Sequence, residues 1–238
     1  MRIHESLQKE IDKIKSQSQT TRSFRQFVLG VVDESLRDHY GVNYSVRCFQ
    51  SSRAISEAHN FFGIDCKTWT GHVCFLQISL NENGPEFGWA GFWDQDHHLW
   101  AYNEFDELID LTISQLHLHP ASSSVNNLAI PAIWWEDMTR TPSTMIYLTD
   151  GIPVEEFPES DKIDFDSFME RFRENLEKRA KSELWSGYRE PIMDGPSSLE
   201  KLTELRHPWV FYGSFAQDIP MPPWVLNRIE IMKRSHQN

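Results

Sequence analysis

Residues 97–112, HHLWAYNEFDELIDLT, decide how this chain is read. They divide into two short apolar segments around a polar turn, with His98-Leu99-Trp100 on the first and Asp110-Leu111-Thr112 on the second. An antiparallel hairpin whose loop is Asn103 to Phe105 sets His98 opposite Asp110, both side chains on one face. An imidazole held by a carboxylate has a fixed tautomer and a stabilised cation, the state that a general base beside a nucleophile requires. Alternation selects His98 over His97, because His98, Trp100 and Tyr102 share a face. Asp110 lies among Leu108, Ile109 and Leu111, and a carboxylate buried there needs a partner. A structural bond from Asp110 to backbone at a strand end is the competing reading.

Upstream, CFQSSRAISEAHNFFGI predicts a helix from about Arg47 to Phe62 that stops at Gly63. Cys48 falls in its first turn, on the face shared with Ser52, Ile55 and Phe62. The positive end of a helix favours the thiolate, the nucleophilic form of cysteine. The expected site is therefore Cys48, His98 and Asp110.

Elsewhere, Ile3, Leu7, Ile11 and Ile14 predict one amphipathic helix, and Phe24, Phe27, Val28, Val31 and Leu36 a second. Residues 64–80 alternate as strand, with Gly71 as a break or bulge. NENGPEFG reads as a turn, GWAGFWDQD as loop or short strand, IPAIWW and TMIYL as strands, and PVEEFPES as a linker. Phe165, Phe168, Met169, Phe172 and Leu176 form the strongest helical stripe. Residues 188–198 read as loop, 199–206 as a short helix, HPWVFYGSF as strand or buried strap, and Val225 to Lys233 as a last helix. The fold class expected is α+β, with N-terminal helices packed on an antiparallel sheet. Residues 1–155 form the core and 156–238 a mostly helical C-terminal extension packed on it.

A formal net charge of −12, with no basic cluster interleaved with aromatics, argues against nucleic acid as a partner. No apolar run approaches the ~20 residues that span a bilayer, and MRIHESLQKEIDKIK lacks the apolar core of a secretory signal. Three cysteines at positions 48, 66 and 74 make neither a disulfide framework nor a CxxC zinc site. A cytoplasmic protein with reduced thiols is expected, Cys66 and Cys74 being buried in strand sequence.

A cysteine-headed helix ending in Gly63-Ile64, a strand containing Gly71, then His98-Leu99-Trp100 and Asp110-Leu111-Thr112 resembles the transglutaminase-like branch of the papain-like cysteine proteinase superfamily. The resemblance covers roughly residues 40–150 and includes bacterial families of unknown function. It implies a papain/transglutaminase-like core and acyl transfer with Cys48 as nucleophile, His98 as base and Asp110 as orienter. The expected activity is hydrolysis of an amide or thioester through an acyl-cysteine, of peptidase, amidase or deamidase type, and no cofactor or metal is required. The substrate is a peptide, a protein side-chain amide or a small-molecule amide. Asn43 and Gln50 are the side-chain candidates for an oxyanion hole, and the backbone N–H of Cys48 a third.

Two other readings compete. One is a transglutaminase-like module that has lost catalysis and binds a partner. The other is a histidine metal site around His117-x-His119, although Pro120 follows directly and surface loop histidines explain the pair as well. The Trp-rich stretch 89–100 and Trp134-Trp135 are expected to pack the core.

Overall fold

Cys66 to Asn81 run as one strand, β1 (Cys66–Asn81), and the sheet is built along its two edges. The computed structural model describes residues 3–92, 97–120, 126–136, 142–153, 162–216 and 219–235. Along one edge lie β2 (Gly84–Phe92) and β3 (His98–Asn103), both antiparallel to β1. Along the other lies β6 (Met145–Pro153), paired with residues 69–75. Phe92 stands opposite Val73 and His98 opposite Gly71. Two residues six apart in sequence are thus only two strand positions apart in the sheet. The stretch GWAGF, ambiguous between loop and strand in the sequence, is the second half of β2, while residues 93–96 and the linker residues 154–160 lie outside the described residues.

The sheet continues from β3 through β4 (Leu108–Asp110) and β5 (Ala132–Trp135) to β7 (Ile192–Met193). It is antiparallel except for the parallel pair β5–β7, so the expected all-antiparallel sheet is corrected to a mixed one. β7 falls in the stretch read as loop; a two-residue strand is too short to show periodicity.

The apolar pattern of the strands sorts side chains between two cores. Ala101, Ile109, Ala132 and Trp134 face helices, whereas Trp100, Leu108, Ile133 and Trp135 face the other way. All four residues of β5 are buried, which is why AIWW shows no polar alternation. The helical layer is α1 (Glu5–Gln17), α2 (Arg22–Tyr40), α3 (Cys48–Phe61) and α4 (Lys162–Ala180). Leu7, Ile11 and Ile14 of α1 and Phe168, Phe172 and Leu176 of α4 enter the same core as Phe24 and Phe27 of α2. The C-terminal third thus contributes both a strand and a core helix. The second core is closed by α5 (Pro196–Glu204) and α6 (Pro208–Gly213), and α7 (Pro223–Ser235) follows. HPWVFYGSF, read as strand or buried strap, is helical from Pro208 to Gly213, with Trp209 and Val210 buried. Pro208 at its first turn has no N–H to waste and a φ suited to a helix start. No helix among the described residues is long and apolar enough to cross a membrane.

The β3–β4 hairpin differs from expectation by one loop position. Ala101 pairs with Ile109 and Tyr102 with Leu108, so the loop is Glu104 to Asp106, with Asp106 left-handed at φ 62°. His98 and Asp110 are therefore diagonal neighbours rather than opposite ones. The shift of two residues keeps both on the same face, and diagonal neighbours remain within reach of long side chains. Glu107, 1% exposed, holds this register. It accepts hydrogen bonds from Thr20, Arg25 (3.1 Å), Asn103 (2.7 Å) and the Trp134 indole (3.0 Å). A buried carboxylate with that many donors ties the hairpin to α2 and β5.

Gly63 and Gly71 are glycines for different reasons. Gly63, at φ 71°, ends α3 in the left-handed conformation, and the Ile64 N–H reaches back to the His59 carbonyl. At Gly71 the constraint is space: a Cβ there would lie 2.2 Å from the Leu148 carbonyl oxygen and 2.7 Å from the Trp100 ring. β1 stays continuous through Gly71, while its pairing with β6 shifts register between Trp69 and Gly71. Gly71→Ala should cost about 3 kcal/mol by overpacking against backbone, whereas Gly88→Ala, with nothing near its Cβ, should stay within about 0.5 kcal/mol. Urea unfolding of the two variants checks the contrast.

Candidate active site

Cys48 is the first residue of α3, and Arg47 before it makes no side-chain cap. The thiol therefore sits at an open helix N-terminus, partly exposed, where backbone N–H groups have no intrahelical acceptor. α3 packs across β3 and β1 on the helical face of the sheet. That packing carries its first turn to the end of β3 where His98 begins the strand. There the Cys48 side chain lies close enough to His98 to help raise its pKa.

Asp110 organises the other side of the imidazole. Its Oδ2 lies 2.6 Å from His98 Nε2 and accepts from the Tyr147 hydroxyl at 2.9 Å. Its Oδ1 accepts from Thr112 Oγ1 and from the Ile113 N–H, each at 3.1 Å. With donors on both oxygens, the carboxylate is an acceptor toward His98 as well, so Nε2 carries a proton. Nδ1 is left for the Cys48 sulfur. In the neutral ring Nδ1 is an acceptor and can take a proton from the thiol; in the cation it is a donor. His98 and Asp110 are both 1% exposed. Burial alone would push the His98 pKa down, but the charge and hydrogen bond of Asp110, reinforced by Cys48, reverse this and push it up to about 10. Burial first, then the Asp110 charge, raises Tyr147 well above the ordinary phenol range, so it stays a donor.

The three residues expected from the sequence are thus brought together. The oxyanion candidates are not both free. Asn43 is exposed, its amide nitrogen donating to the Leu118 carbonyl at 3.5 Å and its oxygen accepting from the Ser45 N–H. Gln50 is buried near Tyr40, whose hydroxyl donates to Asp164 at the start of α4. Phe49 packs edge-on against Phe165 of α4, at 5.3 Å. These contacts seat the residues beside Cys48 on the C-terminal helix.

Two participants were not legible. Tyr147 lies in TMIYL, and only the pairing of β6 across β1 brings its hydroxyl to Asp110. Phe92, from β2, stacks on the His98 ring at 5.3 Å with planes 9° apart. The aromatic run around it was a weak signal for this. His117 Nδ1 bonds the Ser114 carbonyl at 3.0 Å, and His119 meets the edge of Phe92. Among the described residues no group of three or more His, Cys, Asp or Glu side chains is placed to hold a metal ion. Cys66 and Cys74 are buried, and burial pushes each thiol up to about 12.

Comparison with family models, with curated proteins and with solved structures gives no match.

A raised histidine pKa has a definite pH signature. The folded state binds the His98 proton more tightly than the unfolded chain, whose value is near 6.5. The stabilisation is complete below about pH 6.5 and is lost as the pH rises toward 10. The stability gap between the native protein and His98→Gln should therefore be largest near pH 6 and shrink steadily by pH 9.5, as read by urea unfolding at both ends.

Proposed function

We propose that the chain is a cysteine hydrolase with a papain/transglutaminase-like core, cleaving an amide or thioester through an acyl-cysteine. The observation that carries this reading is the buried His98 imidazole held by the Asp110 carboxylate at 2.6 Å, with Cys48 at the start of α3 near enough to help raise its pKa. A cysteine at a helix N-terminus, a histidine of fixed tautomer and an orienting carboxylate are the parts that covalent acyl transfer needs.

The steps follow from the atoms in place. The Cys48 sulfur, its proton passed to His98 Nδ1, attacks the substrate carbonyl carbon. The oxyanion that forms meets the open end of α3, with the N–H of Cys48 as its donor. His98 Nδ1–H then protonates the leaving amine or thiolate as the carbon–nitrogen or carbon–sulfur bond breaks. Water, losing a proton to the freed Nδ1, hydrolyses the acyl-cysteine and returns the thiol. Throughout, Asp110 keeps the ring oriented and stabilises its cation, while Tyr147 and Thr112 keep Asp110 in place.

Thiol chemistry tests the reading directly. Iodoacetamide at pH 7 should label Cys48 alone, since Cys66 and Cys74 are buried and their thiols raised by that burial. His98→Gln should slow the labelling at least tenfold. Against a panel of acyl 4-nitroanilides and acyl thioesters, Cys48→Ala should abolish turnover and Asp110→Asn should lower kcat by about 10²-fold or more. Labelling of Cys48 at the rate of an ordinary exposed thiol, unchanged in His98→Gln, would defeat the proposal.

A further inference from the structure

Beside the candidate site lies a cavity of about 90 Å³, partly open to solvent, whose walls include Phe75, Ala90, Phe92, Leu116, Leu128 and Trp209. These walls are aliphatic and aromatic for the most part, with Gln77, His117, His119 and Asn127 as polar members. Phe92 belongs to both cavity and site, because its ring is the one stacked on the His98 imidazole. The cavity follows the β1–β2 ladder from Phe92, opposite Val73, to Gln77, opposite Gly88. Four strand positions make a slot about 13 Å long. Trp209 is fixed in it by a hydrogen bond from its indole N–H to the Leu76 carbonyl at 2.8 Å. The Leu118 carbonyl, between two wall histidines, accepts from Asn43 and ties this rim to the loop entering α3.

We propose that this slot is an acyl-chain site, taking the linear apolar chain of a substrate whose carbonyl lies at Cys48. An elongated, mainly apolar slot that starts at the ring packed on His98 suits an unbranched chain, each methylene adding buried area. The assignment rests on the acyl-cysteine reading and names the substrate class for it, a medium-chain acyl amide or thioester.

Binding and turnover test the two separately. Isothermal titration of octanamide into the Cys48→Ala protein reads the slot without chemistry. Saturable binding is expected, weakened at least tenfold when Ala90→Trp is added to fill the slot from half-buried β2. Circular dichroism melting establishes that the filled protein folds, and Leu128→Trp repeats the test from another wall. With Cys48 present, kcat/KM for an octanoyl thioester should exceed that for the acetyl thioester at least tenfold, and Ala90→Trp should bring the ratio near one. Octanamide binding lost on filling, with no turnover of any acyl substrate, leaves the slot standing and removes the hydrolase reading. Turnover without chain-length preference, and without octanamide binding, overturns the acyl-chain site alone. Binding of N-acetylphenylalaninamide in place of octanamide makes the occupant a peptide side chain, and likewise overturns it.

Discussion

The carboxylate of Asp110 is the constraint on which the site depends. Buried at 1% exposure, it must be matched by donors, and four come from three pieces of chain: His98 on β3, Tyr147 on β6, and the Thr112 hydroxyl and Ile113 backbone of the 3-10 helix Thr112–Leu118 that follows. Removing such a partner from the interior leaves an uncompensated charge, a loss of about 3–5 kcal/mol. The same bonds that satisfy the carboxylate leave a single orientation for the imidazole. Stability and the geometry of the candidate site are therefore carried by one set of contacts.

A second buried carboxylate plays a structural part away from the candidate site. Glu107, at the other end of β4's hairpin, collects Thr20, Arg25, Asn103 and Trp134, and Arg25 also meets Glu136 at 2.9 Å. This network sets the hairpin register, and the register decides that Asp110 falls diagonal to His98. Gly71 completes the geometry by allowing β6 and the Trp100 ring to close in beside His98's strand. The candidate site is thus held from the helical side by Glu107 and from the sheet side by Gly71.

Much of this was legible in the chain itself, for local reasons. The spacing of Leu7, Ile11 and Ile14, the stripe from Phe165 to Leu176 and the Gly63 stop each encode a helix or its end within a few residues. The alternation of residues 97–112 placed His98 and Asp110 on one face, and a register error of two residues could not change that parity. What failed to show was non-local. Tyr147 reaches Asp110 only because β6 pairs with the far edge of β1, and Phe92 reaches His98 because β2 and β3 share the near edge. β7 is two residues long and parallel, and α6 carries a strand-like composition that Pro208 and burial of Trp209 override.

The central claim is that Asp110, with Cys48 beside it as a second influence, holds His98 in its charged form. Nitrogen-15 NMR of the histidine side chains across pH reads this directly. His98 is expected to remain doubly protonated at pH 8, to titrate far above the usual histidine range, and to titrate lower in Cys48→Ala and lower still in Asp110→Asn. A His98 ring that titrates near pH 6.5 and ignores both substitutions would contradict it.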